Sequence, residues 1–570
     1  MEWLNVLSGS ETAAQLLLSV LLFPILGCLG VWLISLHGQS IPGNSWRNWR
    51  DVVIWTSCGL TLAGLIGLQP FFGTEILLPG MGGPGYRFGI DGLRFTLAVL
   101  AALLWLLSSL FSRWYLSQSG HKMRYYCFFL LGESGILTVL LSADLYTMLT
   151  GFVLLNLSSW VLIGHRETGP ARHAARRALF GLICGSLSAL LGVFLLTSLL
   201  GTVRFSALQV LGPACPNRLL LYLAGGLMLG GISASCSFIP WPRRTPGSTA
   251  APGPAAALLA GAVTVAWLFS AMVLSGLLFW WDGPWGLFLC GLGTALLVLA
   301  AIGALLSKNV KQTLSWLAVS QSGPILLALG LNCLSTSQNQ IPAAAVVLQS
   351  LHHGLCQLLL FLCAGTVCMH QSDLALGKVC GFGRGKPVLF ASLALGGASL
   401  CGMPLFFGSV TQTLLQTALR QYMERLPLHG TGWWVFACIA GLVILSCGVA
   451  FAAVLKLLVC LFARPNADPV LQEHYNTLSG RWLSPLVRVL LPLLGAVLLL
   501  AGVAAPLCLQ PIAAACAGFF STAASVPLSA YRWQMFALGG LHLAIGAVVY
   551  LVFWHRRLYR LAQPQADPAA

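Results

Sequence analysis

The sequence predicts an all-α polytopic membrane protein of about fifteen transmembrane helices, and three observations predict it. Hydrophobic residues fill 58% of the 570 positions, and Asp, Glu, Lys and Arg together only 8%, against about 25% charged residues in an ordinary soluble domain. Apolar runs recur from end to end, each of about 20 residues and so long enough to cross a hydrocarbon layer about 30 Å thick. Between them, basic residues collect in alternate short connections, as expected of loops retained on the cytoplasmic side of a bilayer.

In chain order the spans are read at 12–36, 52–69, 92–112, 125–142, 145–164, 178–200, 219–240 and 253–275. They continue at 285–306, 312–331, 343–369, 388–418, 432–462, 489–509 and 533–554. With the N-terminus outside, the first cytoplasmic loop holds Arg47 and Arg50, and the second Arg113, Lys122 and Arg124. Then come Arg166, Arg172, Arg176 and Arg177, followed by Arg243 and Arg244 and by Lys308 and Lys311. Lys378, Arg384 and Lys386 precede Arg464, Arg481 and Arg488, and the tail ends with Arg556, Arg557 and Arg560. Most of the 30 basic residues thus share one side, which requires an odd count of spans, N-out and C-in. Lys456 lies inside a span, near its cytoplasmic end. No connection is long enough for a soluble domain, so 1–570 reads as a single membrane domain.

Two spans carry helix breakers. The seventh runs through Gly230, Gly231 and Pro240 toward Trp241-Pro242, and the twelfth through Gly396, Gly397, Gly402, Pro404 and Gly408. A pair of interrupted helices at corresponding places points to a repeated transporter architecture, although membrane helices also tolerate Gly and Pro for packing alone.

Other function classes are excluded. The net charge of +16 comes from loop residues without an aromatic-interleaved basic tract or zinc-finger spacing, so no nucleic-acid partner is expected. The 18 cysteines include no CxxC pair, and most, such as Cys28, Cys127, Cys184 and Cys290, sit singly in apolar runs, where Cys acts as a small hydrophobe. Walker, HExxH and dinucleotide motifs are missing, Gly381–Gly385 reads as a loop, and His352-His353, as neighbours on a helix, point apart. No cofactor or metal site is expected. The N-terminus has no basic region followed by a small-residue cleavage site, so no removed signal peptide is expected.

Several stretches resemble the antiporter-like membrane subunits of respiratory complex I, of energy-converting hydrogenases and of multisubunit sodium/proton antiporters. Phe88-Gly-Ile-Asp91-Gly-Leu is similar to the segment opening the family's third helix, and Asn156 to Gly164 to the end of its fifth. Asn309-Val-Lys311 through Gln321-Ser-Gly323 resembles the tenth-helix segment, His353-Gly-Leu-Cys-Gln357 through Gly365 the eleventh, and Gly402-Met-Pro404 through Gly408 the break in the twelfth. The resemblance covers roughly residues 85–460. It implies a core of fourteen helices with two inverted five-helix repeats, 123–276 and 284–463, broken at helices 7 and 12 and followed by C-terminal helices and a basic tail at 484–570. The C-terminus is shorter than the lateral helix of the largest complex-I subunits would require.

The family moves protons along buried ionisable residues at mid-membrane, and the resemblance implies that this sequence has lost most of them. The fifth-helix glutamate falls on Val153, the seventh-helix lysine on Ile232 and the eighth-helix histidine on Ala260. The eleventh- and twelfth-helix lysines fall on Gln357 and Gln412. Apolar and amide side chains do not titrate at physiological pH, so the family's charge-coupled switching is not expected here. The candidate proton path therefore consists of Glu133, His353, Lys311, Gln357 and Gln412. A mid-membrane carboxylate is costly and by default functional. Glu133 reads either as a replacement for the acid lost at Val153 or as a neutral residue bonded to a facing Ser or carbonyl. His353 reads as a proton carrier or a packed histidine, and Lys311, beside Lys308 at a helix mouth, as a path residue or a topological charge. Asp144, between two spans, is expected to be solvated, and His352 interfacial.

The implied function is that of a subunit of a complex-I-like or antiporter-like assembly in a cell inner membrane, in proton or cation translocation coupled to redox chemistry or an ion gradient. Its partners are then other membrane subunits and the lipid bilayer, with redox cofactors held elsewhere. Two alternatives stand: a non-pumping structural subunit, and a membrane partner of an inorganic-carbon uptake complex.

Overall fold

A computed structural model describes residues 2–37, 45–78, 85–117, 119–236, 247–335, 340–478, 482–520 and 533–561. Pro240, Trp241, Pro242, Arg243, Arg244 and Arg481 lie outside them. The chain opens with α1 (Glu2–His37) and α2 (Ser45–Gly67), then an antiparallel hairpin of β1 (Glu75–Leu78) and β2 (Tyr86–Gly89). Next come α3 (Gly92–Tyr115), α4 (Lys122–Leu140), α5 (Leu145–Gly164), α6 (Gly169–Leu200), α7 (Phe205–Ala214) and α8 (Arg218–Ser235). The short α9 (Gly253–Leu258) runs through a π-turn, Leu259–Val263, into α10 (Thr264–Leu277). Then follow α11 (Gly283–Leu306), α12 (Val310–Leu334), α13 (Ile341–His370), the single turn α14 (Leu376–Val379), α15 (Pro387–Leu400) and α16 (Phe407–Met423). The C-terminal part holds α17 (Thr431–Leu458), α18 (Pro469–Thr477), α19 (Pro485–Val503), α20 (Ala505–Cys516) and α21 (Trp533–Tyr550).

Among the described residues twelve helices are long and apolar enough to cross a membrane. α2, α4 with Lys122, Arg124 and Glu133, and the pieces α15 and α16 of the interrupted twelfth span are not among the twelve. Burial identifies the axis of the bundle: in the most apolar stretches of the α9–α10 segment and of α13, 94% of the residues are buried, against 33% in α6, which shows an exposed apolar row that includes Phe180, Ile183, Leu187 and Phe194.

Helix starts follow from local chemistry. The carboxylate or amide of Asp91, Asp144, Asn217, Asp282 and Asn309 accepts from the backbone N–H three residues on, satisfying a donor that the first helical turn leaves unpaired. Asp144 is a correction to the solvated reading. It is 3% exposed, accepts from the Thr147 N–H at 2.6 Å and the Thr147 hydroxyl at 3.0 Å, and also accepts from the Arg87 N–H on β2 at 3.2 Å. Asp144→Ala is expected to cost about 1–2 kcal/mol as a lost cap, read as a lower unfolding temperature of the purified chain.

The twelfth span breaks as its glycines predict. α15 stops at Leu400, Gly402 takes a left-handed φ of +70°, and α16 starts at Phe407. A Cβ on Gly408 would lie 1.8 Å from the Ser399 carbonyl oxygen. In the seventh span Gly230 and Gly231 are helical, and α8 ends at Ser235. Gly231 serves close packing there, since a Cβ would come within 2.5 Å of the Gly185 carbonyl oxygen on α6.

Candidate functional site

The site is a row of uncharged polar side chains along the enclosed axis. On α13, Gln349, His353 and Gln357 are spaced by four and therefore share one face. All three are at most 3% exposed. Gln349 Nε2 donates to the side-chain Oε1 of Gln321 on α12 at 3.1 Å. His353 Nε2 lies 2.9 Å from the Ala260 carbonyl oxygen. A carbonyl only accepts, so Nε2 carries the proton and Nδ1 presents a lone pair. Ala260 sits in the π-turn, a distortion frequent at functional sites, and its carbonyl meets His353 where the family resemblance implies a histidine side chain.

Beside the π-turn a cavity of about 40 Å³ is lined by Asn156, Ser159, Ser235, Ser248, Thr264 and Ser315, with Ala260 on its wall. Asn156 donates to the Ser235 hydroxyl at 2.9 Å, and the Ser248 and Ser315 hydroxyls are 2.7 Å apart. About 10–15 Å³ of such space holds one water. Among the described residues, Asn156 Oδ1, Gln321 Nε2, His353 Nδ1, Gln412 Oε1 and both amide atoms of Gln357 have no hydrogen-bond partner. Left dry, each would cost about 1–3 kcal/mol, so the arrangement calls for ordered water.

Lys311 joins the row from one end. Its ammonium donates to the Ala251 carbonyl at 2.6 Å and is 3% exposed. Ser315, one helical turn on, lines the cavity. The polar sequence thus runs from Lys311 through Ser315, Ser248 and Asn156 to the Ala260 carbonyl, His353 and Gln357. On the other face of α13, His352 corrects the interfacial reading: it is 1% exposed and its Nε2 lies 3.0 Å from the Ser399 hydroxyl at the end of α15. Gln412 lies across that break, its Cγ 3.2 Å from where a Gly402 Cβ would be.

Glu133 is not brought to this row. It is fully buried, and the Cys58 thiol on α2 donates to its Oε2 at 3.2 Å. Gly135, two residues on and so on the opposite side of α4, is the residue that meets Gly151 and Leu155 of α5. Val153 is 40% exposed on the outside of α5. Glu133 and Val153 therefore do not share a site, and the thiol of Cys58 replaces the expected Ser or carbonyl partner. Ile232 is 1% exposed, within the apolar core. Among the described residues no group of His, Cys, Asp and Glu is placed to hold a metal ion.

The sequence reading missed Gln349, Asn156, Ser235 and Ser399 as site residues. The i, i+4 spacing of Gln349 before His353 was the available signal. Nothing in the sequence announces a π-turn or the meeting of Asn156 with Ser235, 79 positions apart.

Residues 142–430 match the family model described as NADH:quinone oxidoreductase/Mrp antiporter, TM, just over half of the chain. The chain belongs to that family. As one of its members it is a multi-pass membrane protein. It is 27% identical over 329 residues to NADH-quinone oxidoreductase subunit L of Escherichia coli K12, covering 56% of this chain and 52% of that one. To a probable K(+)/H(+) antiporter subunit of Rhizobium meliloti it is 26% identical over 481 residues, 81% of this chain and 45% of that one. The chain thus spans about half the length of these relatives. In fold it matches a chain of the Mrp complex from Dietzia sp. DQ12-45-1b, with a TM-score of 0.76 at 18% identity over 96% of this chain and 57% of that one.

Proposed function

We propose that this family member is a membrane subunit of a complex-I-like or Mrp-like multisubunit assembly and takes part in proton or cation translocation along an uncharged, water-holding row. The observation that carries this reading is the buried His353, bonded to the π-turn carbonyl and followed one turn on by Gln357, whose amide atoms have no partner among the described residues. In this reading His353 is the proton-carrying group on the α13 face it shares with Gln349 and Gln357, and Gln357, Gln412 and the cavity hydroxyls hold the water that carries protons to and from it. Lys311 sets the potential at one mouth. The N-terminus lies outside and the C-terminus in the cytoplasm of a cell whose inner membrane holds the complex. Residues 123–276 and 284–463 act as repeated halves, with 484–570 completing the bundle.

The test is proton flux in sealed vesicles carrying the native complex, with assembly checked for each variant. His353→Leu is expected to reduce flux per turnover at least tenfold. Glu133→Gln, which changes a group turned toward Cys58, is expected to leave it within about twofold. Unchanged flux in His353→Leu would overturn the row. A specific observation favours a second reading, a scaffold without transport: Ile232 and Val153 supply no charge or polar group at two implied path positions. Full flux in both variants would support it.

A further inference from the structure

At the end of the bundle where α3, α5 and α13 finish and α12 begins, two cations meet without a carboxylate. Arg166, in the connection after α5, donates through Nη2 to the Cys368 sulfur at 2.8 Å and also to the Tyr115 hydroxyl. Tyr115 lies on α3 and its hydroxyl is 3.6 Å from the same sulfur. Lys311, on α12, lies within electrostatic reach of both Cys368 and Arg166, and it donates to the Ala251 carbonyl. Cys368 and Tyr115 are 6% and 5% exposed. His165, next to Arg166, is pushed down to about 4, first by burial and then by Arg124, and adds no charge at neutral pH. Among the described residues neither Arg166 nor Lys311 forms an ion pair with an acid. Lys311 is buried and Arg166 half-buried; a buried cation without a counter-charge is costly, and the side chains touching the guanidinium are the Cys368 thiol and the Tyr115 hydroxyl.

We infer that Cys368 is a thiolate, the shared counter-ion of Arg166 and Lys311, and that it is a site of covalent modification by small thiosulfonates and disulfides. A thiolate, not a thiol, is the nucleophile in such chemistry. With methyl methanethiosulfonate the sulfur attacks the sulfenyl sulfur. A Cys–S–S–CH3 bond forms, the S–SO2 bond breaks, methanesulfinate leaves and no proton is released. The modification removes the negative charge and leaves Arg166 and Lys311 facing each other at the mouth of the polar row. The inference concerns the charge state of this cluster and stands whether or not the row conducts.

Two measurements on the full chain in native membranes test it. In the first, methyl methanethiosulfonate labelling of Cys368 is followed by mass spectrometry at pH 6.5. Wild type is expected to react at least ten times faster than Arg166→Gln, although the shorter side chain opens access to the sulfur. Equal or faster labelling of Arg166→Gln, or no labelling of wild type, overturns the proposal. In the second, unfolding temperatures are compared without any reagent. Cys368→Asp, which keeps the charge, is expected to unfold near wild type, and Cys368→Ser several degrees lower, with Arg166→Gln restoring stability in the Cys368→Ser background. The reverse order, Ser tolerated and Asp destabilising, would mean a neutral thiol and overturn the inference.

Discussion

Gly323→Leu is expected to abolish recovery of folded protein. A Cβ at 323 would stand 2.5 Å from the Gly293 carbonyl oxygen and 2.8 Å from the Leu297 backbone nitrogen on α11. One at 293 would stand 2.7 Å from the Gly323 carbonyl oxygen, and Gly330 meets Gly286 in the same way one step along the pair. The glycines of α11 and α12 thus let the two backbones touch, as small residues do where membrane helices associate through packing. These obstacles are backbone atoms, which cannot rotate aside. Overpacking usually costs about 1–3 kcal/mol and more when backbone must move. Here the wall that moves is α12, which carries Lys311, Ser315 and Gln321. Size-exclusion of the detergent-solubilised chain should show no monodisperse peak for Gly323→Leu. Gly291→Leu is the control on α11, because nothing lies within 4 Å of a Cβ there, and it is expected to behave as wild type.

Lys456→Met is expected to destabilise the chain by about 3 kcal/mol or more, at about 1.5–3 kcal/mol for each hydrogen bond to a charged group. Lys456 lies on α17 and is fully buried. Its ammonium donates to the carbonyls of Ala304 at 2.8 Å, Leu305 at 3.1 Å and Ser307 at 2.8 Å, and reaches the Thr313 hydroxyl at 3.3 Å. Those carbonyls end α11, where a helix has acceptors without intrahelical donors and a partial negative charge. The Trp554 ring covers the ammonium at 4.6 Å and its indole N–H donates to the Leu305 carbonyl at 2.6 Å. Removing the ammonium strands buried acceptors and loosens α11, α17 and the C-terminal segment together. An unfolding-temperature series should place Lys456→Met well below Lys378→Met. Lys378 is 59% exposed in its pair with Asp373, so its loss is expected to cost less than about 1 kcal/mol.

Both effects show how far the sequence could be read. Lys456 was legible as a lysine inside a span, but its partners lie about 150 positions away, and only packing brings the end of α11 to it. Asp144 read as a loop acid because it stands between two apolar runs. Its burial depends on β2, whose short strand no span pattern announces. Glu133 was legible as costly, and therefore as important, yet the face of α4 it occupies depends on Gly135 packing against α5. The resemblance implies a histidine position at residue 260, where the sequence has Ala. That its carbonyl is turned toward His353 by a π-turn was not legible.

By itself the sequence determined the solvent, the helix-rich class and the family. Apolar runs, sparse charge and alternating basic loops obey local rules of length and transfer cost, and family motifs keep order along the chain. It also set residue type at the positions the resemblance implies for a proton path, where Val153, Ile232, Ala260, Gln357 and Gln412 stand and do not titrate at physiological pH. Only the tertiary structure decided which polar groups meet: His353 with the Ala260 carbonyl, Asn156 with Ser235, Lys456 with the end of α11, and Arg166 with Cys368. The physical reason is that hydrogen bonds and charge pairs act over a few ångströms, whereas these partners stand tens to hundreds of residues apart and are brought together by glycine-packed helices whose rotation no local pattern encodes.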